Sequence, residues 1–98
     1  MSADIQTISD KTRPVFEKYG VSYAALFGSQ ARGEAQQDSD VDIMVRLDPQ
    51  MGLFAFMDMQ EQLEHELGRE VDIVPEGSMN KFLRPYILPE IVPIYERG

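Results

Sequence analysis

No cysteine occurs among the 98 residues, which excludes disulfides and thiolate metal centres and agrees with a cytoplasmic setting. Basic residues are scarce: nine lysines and arginines stand against seventeen acidic residues, giving a net charge of −8. That balance argues against non-specific nucleic-acid binding, which needs clustered cations on phosphates. It favours a cation or a basic protein as the complement. No apolar run approaches the roughly 18 residues of a membrane span, and no secretion-signal pattern opens the chain. There is also no internal repeat, linker or low-complexity segment. The length suits one domain, residues 1–98, with a core but little spare surface for a second substrate pocket.

What is present concentrates between Gly28 and Val45, GSQARGEAQQDSDVDIMV. Val41, Ile43 and Val45 alternate with Asp40, Asp42 and Met44, the period-two pattern of a strand with one buried face. Asp40 and Asp42 then point the same way, with α-carbons about 6.5 Å apart. Two carboxylates that close repel unless a cation lies between them, and Mg²⁺ accepts carboxylate oxygens while keeping coordination places for substrate phosphates. Gly28 allows a phosphate close to the backbone, and the amides opening a short helix after it suit an anion. The expected site therefore sets Gly28 and Ser29 on phosphates and Asp40 and Asp42 on metal.

The flanking chain predicts an alternation of helices and strands. Residues 4–19 read as a helix with Ile5, Ile8, Val15, Phe16 and Tyr19 inward and Gly20 as C-cap; Pro14 is expected to kink or split it near Thr12–Arg13. Val21 to Phe27 reads as a buried strand, Ser29 as the N-cap of a brief helix from Gln30 to Arg32, and Glu34 to Ser39 as polar loop. Asp40 to Leu47 forms the second strand. A helix from Leu53 to Leu67 is expected to bury Leu53, Phe56, Met57, Leu63 and Leu67 and to stop at Gly68. Arg69 to Pro75 reads as a third strand with Asp72 in the alternating position, and Ser78 as the cap of a last helix from Met79 to about Ile87. Pro85, Pro89 and Pro93 leave the chain beyond Leu88 unassigned, although Ile91, Val92, Ile94 and Tyr95 have the character of buried residues. The fold class is α/β: helices packed on a small mixed sheet.

If the second and third strands are neighbours, Asp72 joins Asp40 and Asp42. Two metal ions about 3.5–4 Å apart can then clamp the attacking and leaving oxygens of a phosphoryl or nucleotidyl transfer. Rival motifs fail. Asp38, Asp40 and Asp42 begin like an EF-hand loop, but Ile43 stands at its glycine position and Pro49 at its glutamate position. Gly28 to Gly33 opens like a P-loop, but Glu34 and Ala35 follow where Lys and Ser or Thr are required, and the two glycines do not fit GxGxxG. Arg32, one turn on from Gly28, is a candidate for phosphate or for pinning Asp38 or Asp40. His65, among Glu61, Glu64 and Glu66, reads as a solvated helix residue, and Met51, Met57 and Met59 as core filler.

Gly28-Ser29, Ala31-Arg32-Gly33 and Ser39-Asp40-Val41-Asp42 together resemble the GSxARG…SDxD signature of the polymerase-beta-type nucleotidyltransferase superfamily. The short chain resembles its minimal nucleotidyltransferase branch. The Leu26-Phe27 strand end, the Leu67 to Val74 segment and the closing tail fit as well, so the likeness spans most of the chain. The resemblance implies a nucleotidyltransferase fold with a Mg²⁺ (two ions) and ATP site. Gly28 and Ser29 would hold the triphosphate, Asp40 and Asp42 the metals, and Asp72 would bind metal and accept the proton of the attacking hydroxyl. It further implies an antitoxin that moves AMP from ATP onto a tyrosine of a HEPN-type RNase toxin, in a possible hetero-oligomer. The acidic composition suits a basic partner of that kind, and the size leaves the acceptor to a second protein. The alternatives are an antitoxin acting by binding alone, against which an intact carboxylate triad argues, and a transferase for a small, aminoglycoside-like acceptor.

Overall fold

The computed structural model describes residues 2–28, 31, 40–78, 80–82 and 84–97, with the side chains of residues 2–4 excepted. At its centre β1, Tyr23–Phe27, lies between two antiparallel neighbours, β2 (Val41–Arg46) and β4 (Val92–Glu96). The strand β3, Val71–Pro75, runs parallel to β2, so the sheet order is β3-β2-β1-β4. Ala24, Ala25 and Leu26 are all buried because β1 is covered on both faces; the continuous apolar run of YAALF is the sequence counterpart of that position.

One face of the sheet carries the main core. Ala24, Leu26, Val41, Ile43, Val45, Val71 and Ile94 meet the helices α1 (Ser2–Tyr19) and α2 (Leu53–Leu67) there. From α1 come Ile8, Thr12, Val15 and Phe16, the 3.6-residue spacing of a single inward stripe. From α2 come Met59 and Leu63. Phe16 is wholly buried, and its ring stands 5.5 Å from that of Tyr95 on β4. The parallel pairing of β2 with β3 requires a crossover, which α2 supplies. Gln60 Nε2 donates to the Val71 carbonyl at 2.8 Å, and the Val71 N–H donates to Glu64 Oε2 at 3.0 Å, tying α2 to the start of β3. α2 ends at Gly68, whose N–H reaches the Glu64 carbonyl at 2.8 Å.

The opposite face holds a smaller cluster, Ala25 and Met44, with Tyr23, Phe27, Val74, Ile87 and Ile91 packed on it. Ile87 closes the one-turn helix α3, Arg84–Ile87. The side chains of Asp42 and Arg46 belong to this face by alternation with Val41, Ile43 and Val45. Arg46 Nε and Nη2 donate to Glu76 Oε1 and Oε2 at 3.2 and 3.0 Å, and its guanidinium lies 5.0 Å above the Tyr23 ring. That paired hydrogen bond holds the Glu76 carboxyl below its usual range against a smaller opposing effect of burial. Burial, then the charge of Glu96, pushes the Tyr23 phenol up. A depressed carboxylate stabilises the fold above its ordinary pKa and loses that contribution as pH falls through the folded value. Glu76→Gln is therefore expected to melt slightly below the parent at pH 7, with the gap closing below about pH 4. Thermal melts across that range test it; a gap independent of pH removes the ion pair as its cause.

Three expectations need correction, and the stretch left unassigned is resolved. Pro14 neither splits nor ends α1, which runs unbroken from Ser2 to Tyr19. The donor that proline lacks would serve the carbonyl of Asp10, an exposed residue that water can reach, while Thr12 Oγ1 bonds the Ile8 carbonyl at 2.7 Å and Phe16 anchors the next turn. The last helix begins at Arg84, and Met79, its expected start, lies outside the described residues. Asn80 Oδ1 accepts the Phe82 N–H at 2.8 Å, a local turn that competes with helix, and Pro85 then falls in the first turn of α3, where proline is tolerated. The unassigned tail is a strand, β4: it occupies a sheet edge, where Pro93 costs no necessary hydrogen bond, and its pairing with β1 shifts register between Ala24 and Ala25. Finally, Leu53 and Met57 are exposed, whereas Met59 takes the buried place. Among the described residues no helix is long and apolar enough to cross a membrane.

Candidate active site

The carboxylates gather at the end of the sheet where β1 finishes and β2 begins. Asp42 is the register partner of Phe27 on one side and of Asp72 on the other. Registered residues on adjacent parallel strands project from the same face, with backbones about 4.8 Å apart. Asp40, two residues before Asp42 and immediately outside β2, continues that face. Asp42 is half-buried, while Asp40 and Asp72 are exposed. The neighbourhood of β2 and β3, on which the inclusion of Asp72 depended, is thus present.

Gly28 follows Phe27 and turns the chain away from the sheet with φ of +72°. A Cβ built on it would lie 2.5 Å from Asp42 Oδ2. The Asp42 carboxylate therefore rests against the bare α-carbon of Gly28, and the glycine is required twice, for its conformation and for this approach. Ala31 is helical, half-buried and packed against the main core. Ser29 and Arg32, the other expected nucleotide ligands, lie outside the described residues, as does most of the brief helix and the loop of residues 34–39.

Among the described residues no three acidic or histidine side chains are drawn together tightly enough to hold an ion by themselves. Mg²⁺ does not require such a cage: one or two carboxylates plus substrate phosphates and water complete its shell. Hard carboxylate oxygens from Asp42 with Asp40 or Asp72, beside the glycine turn at Gly28, fit that donor set. His65 is exposed on α2 beside Glu61 and Glu66, on the helical layer away from the carboxylates.

Comparison with known proteins bears on the family and the fold. Residues 10–94 match the model of the nucleotidyltransferase domain family. The chain belongs to that family. It is 41% identical to the protein adenylyltransferase MntA of Thermococcus cleftensis over 76 residues, covering 78% of this chain and 77% of that one. It is 36% identical over 91 residues to MJ0435 of Methanocaldococcus jannaschii, whose name proposes the same activity, covering 93% of this chain and 98% of the relative. Among solved structures, a minimal nucleotidyltransferase superposes with a TM-score of 0.76 at 34% identity, covering 87% of each chain. A toxin–antitoxin complex with AMP-PNP gives a TM-score of 0.76 at 21% identity over 92% of this chain and 74% of that one, and shares the fold. The minimal nucleotidyltransferase is thus an enzyme class as well as a fold for this chain.

What the sequence did not disclose is the surface of α2. Leu53, Phe54, Phe56, Met57 and Met59 fall within two turns, and a single inward stripe roughly 100° wide has no room for all of them. That excess was the available signal that part of this apolar set faces outward.

Proposed function

We propose that the protein transfers AMP from ATP to a tyrosine hydroxyl of a HEPN-type protein, silencing that partner. The observation that carries the reading is the pairing of Asp42 with Asp72 in register, with Gly28 pressed against the Asp42 carboxylate. Family relatives support the rest: the Thermococcus protein is named a protein adenylyltransferase, and a fold neighbour with a TM-score of 0.71 is an MNT antitoxin in complex with a tri-AMPylated HEPN toxin from Shewanella oneidensis.

In this reading Gly28 and Ser29 take the triphosphate on backbone amides, with Arg32 as a further phosphate contact. Asp40, Asp42 and Asp72 hold Mg²⁺, as two ions, which when bound neutralises charge developing on the phosphates. The phenolic oxygen of the acceptor attacks the α-phosphorus, the bond from that phosphorus to the bridging oxygen breaks, and pyrophosphate leaves. Asp72, exposed at the rim, receives the phenolic proton. The carboxylates also fix the nucleotide in line with the incoming hydroxyl, the positioning share of the rate enhancement.

The test is incubation of the purified protein with Mg²⁺, ATP and the product of the adjacent reading frame, followed by intact mass. One or more AMP additions on the partner, confined to tyrosine, are expected. A stable complex that never gains mass would point instead to an antitoxin acting by binding alone. Labelling of an aminoglycoside-like acceptor and not of the protein would replace the acceptor class.

A further inference from the structure

The first two turns of α2 present an apolar surface that the fold does not cover. Leu53 is 71% exposed, Phe54 85% and Met57 55%. Beside them Leu47, Met51, Phe56 and Ile73 line an open apolar pocket of about 460 Å³ where β2 and β3 end. This lies at the opposite end of β2 from Asp40 and on the helical side of the sheet, so it is not part of the carboxylate site. Exposed apolar residues scattered singly are ordinary, but three large side chains within two turns of one helix, with Leu53 also lining a pocket, mark an interaction surface.

Charge selects the occupant. Asp48, Asp58 and Glu61 are exposed around the patch, and α2 contains no lysine or arginine from Leu53 to Leu67. Lys18, at the end of α1, stands near Asp48 and Ala55 and is outnumbered. A second copy would bring an identical acidic rim against the first, in a chain of net charge −8. We propose that this surface docks an amphipathic helix of the protein acceptor, with its apolar face in the pocket and lysines or arginines along its flanks. The proposal rests on the reading that the acceptor is a protein, and it separates the grip on that protein from the chemistry done to it. The helix-in-groove mode supplies affinity through apolar anchors and specificity through the charged rim.

The experiment uses the double variant L53D/F54D, whose substituted residues are exposed and whose new acids in the first turn favour the α2 helix dipole. Binding to the product of the adjacent reading frame is measured by titration calorimetry at two salt concentrations, and circular dichroism checks folding. The parent is expected to bind more weakly at high salt, and the variant to lose about tenfold or more in affinity, from removal of two apolar anchors, while its affinity for ATP is unchanged. Equal binding by a folded variant overturns the proposal, as does a parent that fails to bind or a parent dimer that the variant dissolves. Phe54→Leu, which keeps an apolar anchor, is expected to retain most of the affinity; a loss as large as that of L53D/F54D would overturn the anchor assignment. Binding without AMP transfer would sink the transferase reading and leave the docking surface standing.

Discussion

Asp42→Asn is expected to lower the rate of nucleotidyl transfer by about 10³-fold or more while leaving the fold intact. The magnitude follows from the chemistry: a bound metal contributes several kcal/mol of charge stabilisation, and each 1.36 kcal/mol is a factor of ten in rate. Asn keeps the shape of Asp but has one neutral oxygen where the carboxylate had two charged ones. Asp42 and Asp72 are register partners, so the substitution also removes one of two like charges placed side by side. Adding Mg²⁺ and ATP should raise the melting temperature of the parent by mass action and that of the variant much less. Glu17→Gln, on the exposed surface of α1, serves as the control and is expected to leave transfer untouched. Transfer within tenfold of the parent by Asp42→Asn would remove this residue from the metal site.

That prediction draws on residues whose arrangement is legible in the amino-acid sequence itself. Period-two alternation fixes which of Val41 to Val45 face the core, and the same alternation fixes where Asp42 points. The one condition it leaves open, whether Asp72 is a neighbour, is a matter of strand order, which no local pattern encodes; the parallel pairing of β2 with β3 closes it. The prolines are a separate matter. Pro14, Pro85 and Pro93 are each strong local signals, and each is overridden by position. One meets a carbonyl that solvent can satisfy, one sits in a first turn, and one lies on a sheet edge. For α2 the sequence supplies the apolar residues but not their partners, and a helix with more apolar surface than its core can take keeps the remainder for something outside the chain.

The turn at Gly28 permits a second large effect to be separated into its parts. Gly28→Ala places a side chain in the left-handed region, at a cost of about 1–2 kcal/mol, and sets its Cβ 2.5 Å from Asp42 Oδ2. The carboxylate must then move, and a displacement near 1 Å at a reacting centre can cost about a hundredfold in rate. Gly20 supplies the matched control: it has the same φ of +72°, but a Cβ there meets nothing within 4 Å. Gly20→Ala should therefore lose the same conformational energy, a fall in melting temperature of roughly 4–8 °C for each kcal/mol in a domain of this size, and keep its activity. Gly28→Ala should show a comparable or larger fall together with about a hundredfold loss of transfer. Melting curves and initial rates on the two variants decide the matter. If both lose activity in proportion to stability, the glycine serves only the turn. If Gly28→Ala alone loses it, the bare α-carbon is part of the metal site, because it is what lets the Asp42 carboxylate lie where the chemistry needs it.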